Sequence, residues 1–175
     1  MEDIFDVVNE EDIVISQLPR SEVHSQGLLH RSVHLLIHNS KGDFFLQKRS
    51  ESKDTHPNTW TSSVSGHVDS GETYDQGVIR ETVEEIGIEL ESTPEKMFKI
   101  DACEETDQEF VWVYRHQFDG ELRVNEEEIA DGKWLGGETI SNWIEDSPEE
   151  FSPSFKLIWD IFQSQNLDWV SSHRR

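Results

Sequence analysis

Three glutamates lie close together in a segment whose own sequence predicts a helix. They are Glu81, Glu84 and Glu85. Thr73 and Gln76 have the spacing of a capping box, and Gly87 is a typical helix terminator, so a helix of roughly 14 residues is expected between them. At about 100° per residue, the three carboxylates share one helix face. This arrangement predicts a site for a divalent cation.

The opposite face of the same helix is predicted to pack on a core, through the apolar stripe of Ile79, Val83 and Ile86. Like charges at the glutamate spacings repel by roughly 0.2 to 0.5 kcal/mol per pair, and no lysine follows one turn later to offset this repulsion. The helix dipole also disfavours anions near a C-terminus. A solvated acidic face is the alternative, but the uncompensated repulsion favours a bound cation. Ligands that are all oxygen suit Mg²⁺ or Mn²⁺ rather than zinc.

The helix belongs to a longer motif. Residues 66–88 read GHVDSGETYDQGVIRETVEEIGI and fit the spacing of the Nudix box, with Thr82 in a slot that is usually aliphatic. The chain therefore resembles Nudix hydrolases, which split diphosphate linkages with divalent metal. The resemblance implies an α/β fold, the Nudix alpha/beta/alpha sandwich with a mixed central sheet.

The same resemblance assigns roles within the box. The metal ligands would be Glu81, Glu84 and Glu85, with a main-chain carbonyl near Ser65 and Gly66 as a further ligand. Arg80 would orient a metal-binding glutamate, and Glu72 would steady the loop and the helix. An ordinary surface ion pair is the alternative for Arg80. The residues expected to act in catalysis are Glu81, Glu85, Arg80 and Glu72.

A second resemblance covers most of the chain. Residues 28–72 look like isopentenyl-diphosphate isomerases, and more closely like the Nudix hydrolases grouped with them. The residues that match the isomerase metal site are His24, His30, His67, Asp107 and Glu109. Arg49 and Lys53 match positions that hold diphosphate, Lys48 lies beside them, and Arg31 is a weaker candidate. Solubilising charges and a polar connection are the alternatives for these bases and histidines.

Two departures argue against isomerisation. Ser65 stands where the isomerases have a reactive cysteine, and Ser154 replaces an aromatic residue. A serine hydroxyl is a poor proton donor compared with a thiol of pKa about 8.5. Hydrolysis of a nucleoside diphosphate derivative or another organic diphosphate is therefore expected, and a noncatalytic diphosphate-sensing module on the same fold is the alternative.

The general base is left open by the sequence. Glu81 is the first choice, and Glu109 and the acidic run 126–128 are alternatives, although that run is also typical of a solvated loop. His34 and His38 alternate on a predicted strand and are expected to be structural or solvent-facing.

Composition limits the partners. The chain has 175 residues and a net charge of −22, which argues against nucleic acid and anionic membranes as partners and favours a small-molecule diphosphate. Cys103 is the only cysteine, and there is neither a signal-like apolar segment nor a long apolar run, so a cytoplasmic location is expected. A homodimer is left open.

Periodicity and turn residues predict the other elements. The predicted strands are 4–8, 13–15, 32–38, 44–48, 96–100, 109–118 and a short strand that starts at Trp134, and the predicted helices are 139–145 and 153–165. A short helical or irregular stretch is expected at 19–27. The predicted domains are an N-terminal extension at 1–27, a Nudix domain at 28–165 and a C-terminal tail at 166–175.

Overall fold

The computed structural model describes residues 1–165, and the predicted C-terminal tail lies outside the described residues. In this part of the chain, the strands are β1 (Ile4–Val8), β2 (Val14–Pro19), β3 (His30–His38), β4 (Asp43–Arg49), β5 (Trp60–Thr61), β6 (Val64–His67), β7 (Glu95–Ile100), β8 (Glu109–Gln117) and β9 (Ile129–Gly136). The helices are α1 (Arg20–Ser25), α2 (Tyr74–Ile86), α3 (Gly137–Asp146) and α4 (Pro153–Gln165), and a single 3₁₀ turn spans Pro148–Glu150.

Seven of these strands form a mixed sheet. The main order is β5-β4-β3-β8-β7, with β6 paired to β3 and β9 paired to β4. The β3–β8 pairing is parallel, and the other pairings are antiparallel. Because the parallel pair joins two distant parts of the chain, it brings the start of β3 next to the start of β8.

One face of the sheet packs against α2. Val33, Leu35 and Ile37 alternate along β3 and meet Val78 and Ile86 of the helix. All five side chains are fully buried. The alternation along β3 and the helical spacing along α2 therefore bring these apolar side chains together in one interface between the sheet and the helix.

The other face packs against α3 and α4. Leu36 and Leu46 lie on this side of the sheet, in the cluster that includes Ile140 of α3. The aromatic and aliphatic stripe of α4 completes it with Phe155, Ile158, Trp159 and Phe162, each at most 2% exposed. The predicted core role of this stripe is confirmed. Helices on both faces of a mixed sheet also confirm the predicted sandwich.

The first two strands form a separate antiparallel hairpin. Phe5 and Val7 of β1 pack with Val23 of α1 in a small cluster, and Phe5 bridges to Asp69 in the loop before α2. The hairpin and α1 thus lie against the loop that follows β6. The predicted boundary near residue 27 stays a prediction.

The strand predictions needed three corrections. β2 extends to Pro19 and does not stop at Ile15, and Trp134 lies inside β9 instead of starting it. β9 gave little signal because residues 130–134 are exposed and include no alternating apolar set. The short strands β5 and β6 were missed, since one has two residues and the other reads VSGH.

The predicted apolar stripe on α2 is also wrong in part. Val83 is 43% exposed, whereas Val78, Thr82 and Ile86 form the buried line with Glu85 beside them. Thr82 fits this line because its hydroxyl donates to the Val78 carbonyl at 2.6 Å. The helix is thus turned so that one glutamate points inward.

None of the helices in the described part of the chain is both long and apolar enough to cross a membrane.

Candidate active site

A cavity of about 230 Å³ lies at the ends of β3, β4 and β6, beside α2. We call it the cleft. Its walls carry acidic, basic, histidine and hydroxyl side chains from distant parts of the chain. The lining residues include Arg20, His34, Arg49, Lys53, Thr61, Ser65, Gly66, His67, Arg80, Glu81, Glu84, Glu85, Asp107, Glu109, Glu128, Ser152 and Ser154.

The ends of α2 are held as the sequence predicts. Gln76 N donates to the Thr73 hydroxyl at 3.2 Å, and the Gln76 side chain accepts from Thr73 N at 3.0 Å. Gly87 ends the helix in the left-handed conformation with φ of 70°. The capping box and the glycine fix where the helix starts and stops, and thereby how its glutamates face the cleft.

Glu85 is the most deeply buried of the three glutamates, at 3% exposed. Its Oε2 accepts a hydrogen bond from Gln47 Nε2 at 2.7 Å and another from Ser65 N at 3.0 Å. Burial raises the pKa of the Glu85 carboxyl, and the neighbouring charge of Glu81 adds to this effect. A buried acid that has only neutral donors is suited to a cation.

Glu81 lies directly against the main chain of Gly66. A Cβ atom at position 66 would come within 2.1 Å of Glu81 Cδ, so only glycine leaves room for this carboxylate. Burial raises the pKa of Glu81, although the Arg80 guanidinium acts in the opposite direction. The close approach places the Glu81 carboxylate beside the main chain at residue 66, from which a carbonyl ligand is expected.

Arg80 joins the loop before α2 to the glutamates. It donates to both oxygens of Glu72, at 2.7 Å and 2.9 Å, and to the His67 carbonyl at 3.0 Å. It also donates to Glu81 Oε1 at 2.9 Å and to Glu84 Oε2 at 3.1 Å. The sequence argument that the glutamate repulsion lacks compensation is therefore wrong in part, because Arg80 lies one turn before Glu84.

Glu72 closes the loop at the other end of this network. Its Oε2 also accepts from Asp69 N at 3.0 Å. Burial acts to raise the pKa of Glu72, but the bonds from Arg80 and Asp69 lower it overall. The acid is therefore held as a carboxylate. Glu84, in contrast, has a side chain that is 51% exposed and lies at the rim of the cleft.

A second group of candidate metal ligands lies next to the carboxylates. Nitrogen atoms of His24, His30 and His67 all lie within 4.8 Å of one another. Glu109 Oε1 is 2.8 Å from His67 Nε2 and 3.3 Å from His30 Nε2. Phe5 stacks on the His67 ring with centroids 4.6 Å apart. We call these three histidines and Glu109 the histidine cluster.

The hydrogen bonds of the histidine cluster fit a metal site. His30 Nδ1 lies 2.8 Å from the Leu28 carbonyl and donates to it, which orients the ring so that Nε2 faces Glu109. Nε2 of His24 and Nε2 of His30 are buried without a hydrogen-bond partner in the described part of the chain. Burial lowers the pKa of His24 to about 4, so this ring is neutral and able to coordinate.

Asp107 does not join the histidine cluster. Its carboxylate pairs with His56 Nε2 at 2.8 Å, and its φ of 54° turns it away from the direction of β8. The second acid of the isomerase-like set therefore lies on another wall of the same cleft. Asp107 precedes β8 and is not part of the strand, so alternation could not have placed it.

Basic side chains also line the cleft, and we call the part that they form the basic wall. Arg49 donates to the Thr55 carbonyl at 3.0 Å, and Lys53 Nζ lies 2.9 Å from Glu128 Oε2. Arg20, which the sequence argument missed, also lines the cleft and pairs with Asp54 at 2.7 Å. These three residues bring basic groups into the cleft of a strongly acidic chain, although Arg20 and Lys53 are each paired with a carboxylate.

Two residues predicted to contact phosphate do not line the cleft. Lys48 is on the other face of β4 from Gln47 and Arg49 and does not line the cleft. Arg31 points away and pairs with Asp12 at 2.6 Å. The sequence placed both near the site only because they are neighbours of site residues along the chain.

His34 and Glu128 both line the cleft, which the sequence interpretation of His34 as structural or solvent-facing and of 126–128 as a possible solvated loop did not anticipate. His34 is 2% exposed, and its ring lies 2.9 Å from the Ser62 hydroxyl and 3.3 Å from the Ser65 hydroxyl inside the cleft wall. His38 is also buried, so the solvent-facing alternative is wrong for both histidines. In the run 126–128, only Glu128 faces the cleft. The sequence signal for His34 was its position on the same strand face as Ser32.

Comparisons with known proteins agree with this fold. The sequence model of the NUDIX domain matches residues 28–155, and the chain belongs to this family. The predicted resemblance is confirmed.

Three similar proteins show the range within the family. An uncharacterized Nudix hydrolase of Nostoc sp. is 32% identical and aligns with 89% of this chain and 94% of its own length. An isopentenyl-diphosphate delta-isomerase of Serratia proteamaculans is 30% identical over 97% of both chains. The crystal structure of DR0079 from Deinococcus radiodurans superposes with a TM-score of 0.73 at 31% identity, over 82% of this chain and 89% of that one.

Proposed function

We propose that this protein is a divalent-metal-dependent Nudix hydrolase that cleaves the diphosphate linkage of an organic diphosphate, with Mg²⁺ or Mn²⁺ as its cofactor. The observation that carries the proposal is that buried Glu85 and largely buried Glu81, whose side chain is 12% exposed, line one cleft together with Arg49 and Lys53. Arg80 compensates Glu81 in part, but buried Glu85 has only neutral hydrogen-bond donors, which is costly without a further cation, and oxygen ligands suit hard divalent ions.

The residues of α2 would hold the ion. Glu81, Glu84 and Glu85 supply carboxylates, and the Gly66 carbonyl adds an oxygen. Arg80 and Glu72 position this set through the bonds described above. When bound, the metal lowers the pKa of a water molecule and neutralises negative charge on the leaving phosphate.

The base is proposed to be Glu81. Burial raises the pKa of its carboxyl toward neutral pH, where a base is most effective. Each candidate has a charged or polar partner, Arg80 for Glu81, His67 for Glu109 and Lys53 for Glu128. Burial acts to raise the pKa of Glu109, but His67 and His30 lower it well below its usual value, which makes Glu109 the weaker base. Water would add to phosphorus, its proton would go to the base, and the bridging oxygen would leave with the departing phosphate.

The diphosphate would be bound by the basic wall. Arg49 can present a planar fork of donors to phosphate oxygens, while Lys53 and Arg20 act as nearby charges. Phosphate binding by nearby cations is effective despite the net charge of −22, because salt screens the electrostatic effect of surface charges over about 8 Å. The proposed partners are therefore small-molecule diphosphates rather than nucleic acid or membranes, in a cytoplasmic setting.

The histidine cluster is proposed as a second metal site. Its ligands would be His24, His30, His67 and Glu109, which combine nitrogen with one carboxylate. Imidazole ligands suit zinc and other transition metals better than Mg²⁺. The two ligand sets would thus differ in the metal they select.

Two other functions are open to test. An isopentenyl-diphosphate isomerase is favoured by the histidine cluster, but the cleft holds Ser65 and Ser154 where a reactive thiol and an aromatic ring are expected. A noncatalytic diphosphate sensor would keep the basic wall without a competent ion site.

The test is release of phosphate and pyrophosphate from a panel of nucleoside, sugar, dinucleotide and isoprenoid diphosphates with Mg²⁺ or Mn²⁺. Glu85→Gln should abolish metal-dependent release, and the exposed Glu89→Gln is the matched control. Rearrangement of isopentenyl diphosphate without phosphate release would instead establish the isomerase. Binding without turnover across the panel would establish the sensor.

A further inference from the structure

The walls of the cleft have almost no apolar surface. Among the described residues, Phe5 is the only large apolar side chain that lines it. Phe5 is 1% exposed and stacks on His67 and His30, so it belongs to the histidine cluster side. A hydrocarbon chain would therefore gain little by burial here, and among the described lining residues a nucleobase would meet no Phe, Tyr or Trp ring apart from the covered Phe5.

Hydroxyl groups occupy the wall beside the carboxylates. Thr61 pairs in register with Gln47, so both side chains lie on the same face of the sheet. Gln47 Nε2 donates to Glu85 Oε2 at 2.7 Å, which places the Thr61 hydroxyl next to the group that holds Glu85. Ser152 and Ser154 line the cleft on the far side of Thr61.

The hydrogen bonds in this wall leave a donor available. Ser152 Oγ donates to Thr61 Oγ1 at 3.1 Å and accepts from Phe155 N at 3.3 Å. Thr61 is 1% exposed, and in the described part of the chain its own proton has no acceptor. The Ser154 hydroxyl has only a 3.4 Å contact with Ser152. A ligand with hydroxyl groups would satisfy both.

We propose that the group attached to the diphosphate is a small polyhydroxylated one, such as a sugar, and that Thr61 and Ser154 select it by hydrogen bonds. This inference rests on the proposed hydrolase function. Cleavage of the anhydride bond would release the sugar phosphate and inorganic phosphate. Buried hydroxyls of a site reject analogues that cannot pair with them, which gives strong discrimination against an apolar group.

Three diphosphate substrates that differ in the attached group test this preference. Ribose 5-diphosphate has a five-carbon sugar with free hydroxyls, isopentenyl diphosphate has a five-carbon group without hydroxyls, and ADP adds a base to the ribose. With the full chain and Mg²⁺ or Mn²⁺, we expect kcat/KM for ribose 5-diphosphate to exceed that for isopentenyl diphosphate by at least roughly tenfold. The base should change it by no more than about threefold.

Variants assign the selection to the wall. Thr61→Val removes the hydroxyl at constant shape and should reduce the preference for ribose 5-diphosphate over isopentenyl diphosphate by roughly three- to tenfold, as one neutral hydrogen bond would. Ser154→Ala should act in the same direction at a more exposed position. Thr82→Val is the control, because Thr82 is equally buried but outside the cleft.

The outcomes distinguish failure of this inference from failure of the proposed hydrolase function. Metal-dependent cleavage that favours isopentenyl diphosphate, or that favours ADP over ribose 5-diphosphate by more than about tenfold, would overturn the inference and leave a hydrolase. An unchanged preference in both folded variants would also overturn it. Cleavage of none of the three probes, while others in the panel turn over, has the same meaning. No turnover of any diphosphate removes the proposed function as well.

Discussion

Arg80 and Glu72 form a two-bond clamp, with Arg80 Nε 2.7 Å from Glu72 Oε1 and Arg80 Nη2 2.9 Å from Glu72 Oε2. The remaining nitrogen of the same guanidinium donates to Glu81 Oε1 at 2.9 Å. Because the five donors of arginine are fixed in one plane, the clamp on Glu72 also sets the direction of the bond to Glu81. The loop before α2 and the proposed ion site are thus oriented together.

Arg80→Lys keeps the charge but cannot make both sets of bonds. We expect kcat/KM for a diphosphate substrate to fall by roughly 10- to 100-fold, as for other residues that position metal ligands. Steady-state kinetics at several Mg²⁺ concentrations measures this, with Arg115→Lys as the control on a distant strand. A change below about twofold would mean that Arg80 is only a surface ion pair.

Gly66→Ala tests the close approach of the main chain to Glu81. The new Cβ would lie 2.1 Å from Glu81 Cδ, so the carboxylate must move. Metal-dependent activity should fall by at least roughly 100-fold, since misplacement by about 1 Å is that costly at a reacting centre. Gly137→Ala is the control, because its nearest atom would be at an ordinary 3.6 Å. Full activity in Gly66→Ala would show that Glu81 has no fixed role.

His67→Gln tests the histidine cluster by metal content. We expect the purified variant to lose about one equivalent of transition metal per chain relative to wild type, because a three-histidine site needs each ligand. Elemental analysis by mass spectrometry measures this, and His116→Gln is the control outside the cluster. If wild type carries no such metal after incubation with zinc, the cluster is a hydrogen-bonded group of histidines only.

The ion-free protein should lose stability as pH rises. Burial raises the pKa of Glu81 and Glu85 in the folded state. Their protonated forms therefore stabilise the fold below the unfolded pKa of about 4.3, and this contribution is lost as pH rises through the higher folded values. With chelator present, Tm should fall from roughly pH 5 to pH 8.

Two comparisons check the source of this pH dependence. Glu85→Gln should show a smaller fall in Tm than wild type, since it cannot ionise. Mg²⁺ should restore stability at the upper end of the range, because an ion that binds only the folded state stabilises it. Parallel curves for wild type and Glu85→Gln would place the pH dependence elsewhere in the protein.

Arg49 and its neighbour Lys48 provide a matched pair on one strand. Arg49→Ala should raise KM for a diphosphate by roughly tenfold or more, because it removes a charged hydrogen bond to phosphate. Lys48→Ala removes a charge of the same sign from the opposite face and should leave KM within about twofold. Equal effects of both would indicate a general electrostatic contribution rather than a contact.

Local signals explain what the sequence predicted well. The caps at Thr73 and Gly87 bracket α2 as expected, because capping depends on neighbouring residues alone. The stripe of α4 was equally clear, since large apolar residues repeat at helical spacing over its whole length. Helical spacing alone indicated the glutamate cluster, and the family resemblance added the positioning role expected of Arg80.

Long-range placement explains what was missed. Thr61 and Ser152 meet only because β5 pairs with β4 and Ser152 N donates to the Trp60 carbonyl. Val83 was assigned to the buried stripe because hydropathy cannot show that the helix turns Glu85 inward. Lys48 and Arg49 are adjacent on β4 and their side chains lie on opposite faces of the sheet. Two neighbouring charges in the sequence do not reveal which of them faces the cleft.

The parallel register of β3 on β8 places His30 directly opposite Glu109, although 78 residues lie between them in the sequence. A slip by one residue would turn one of the two side chains to the other face of the sheet. The histidine cluster therefore cannot assemble before this long-range strand pairing is complete and correctly aligned. Metal binding at the cluster would therefore occur only in chains with the correct β3–β8 register, because a misregistered chain would lack the coordination site.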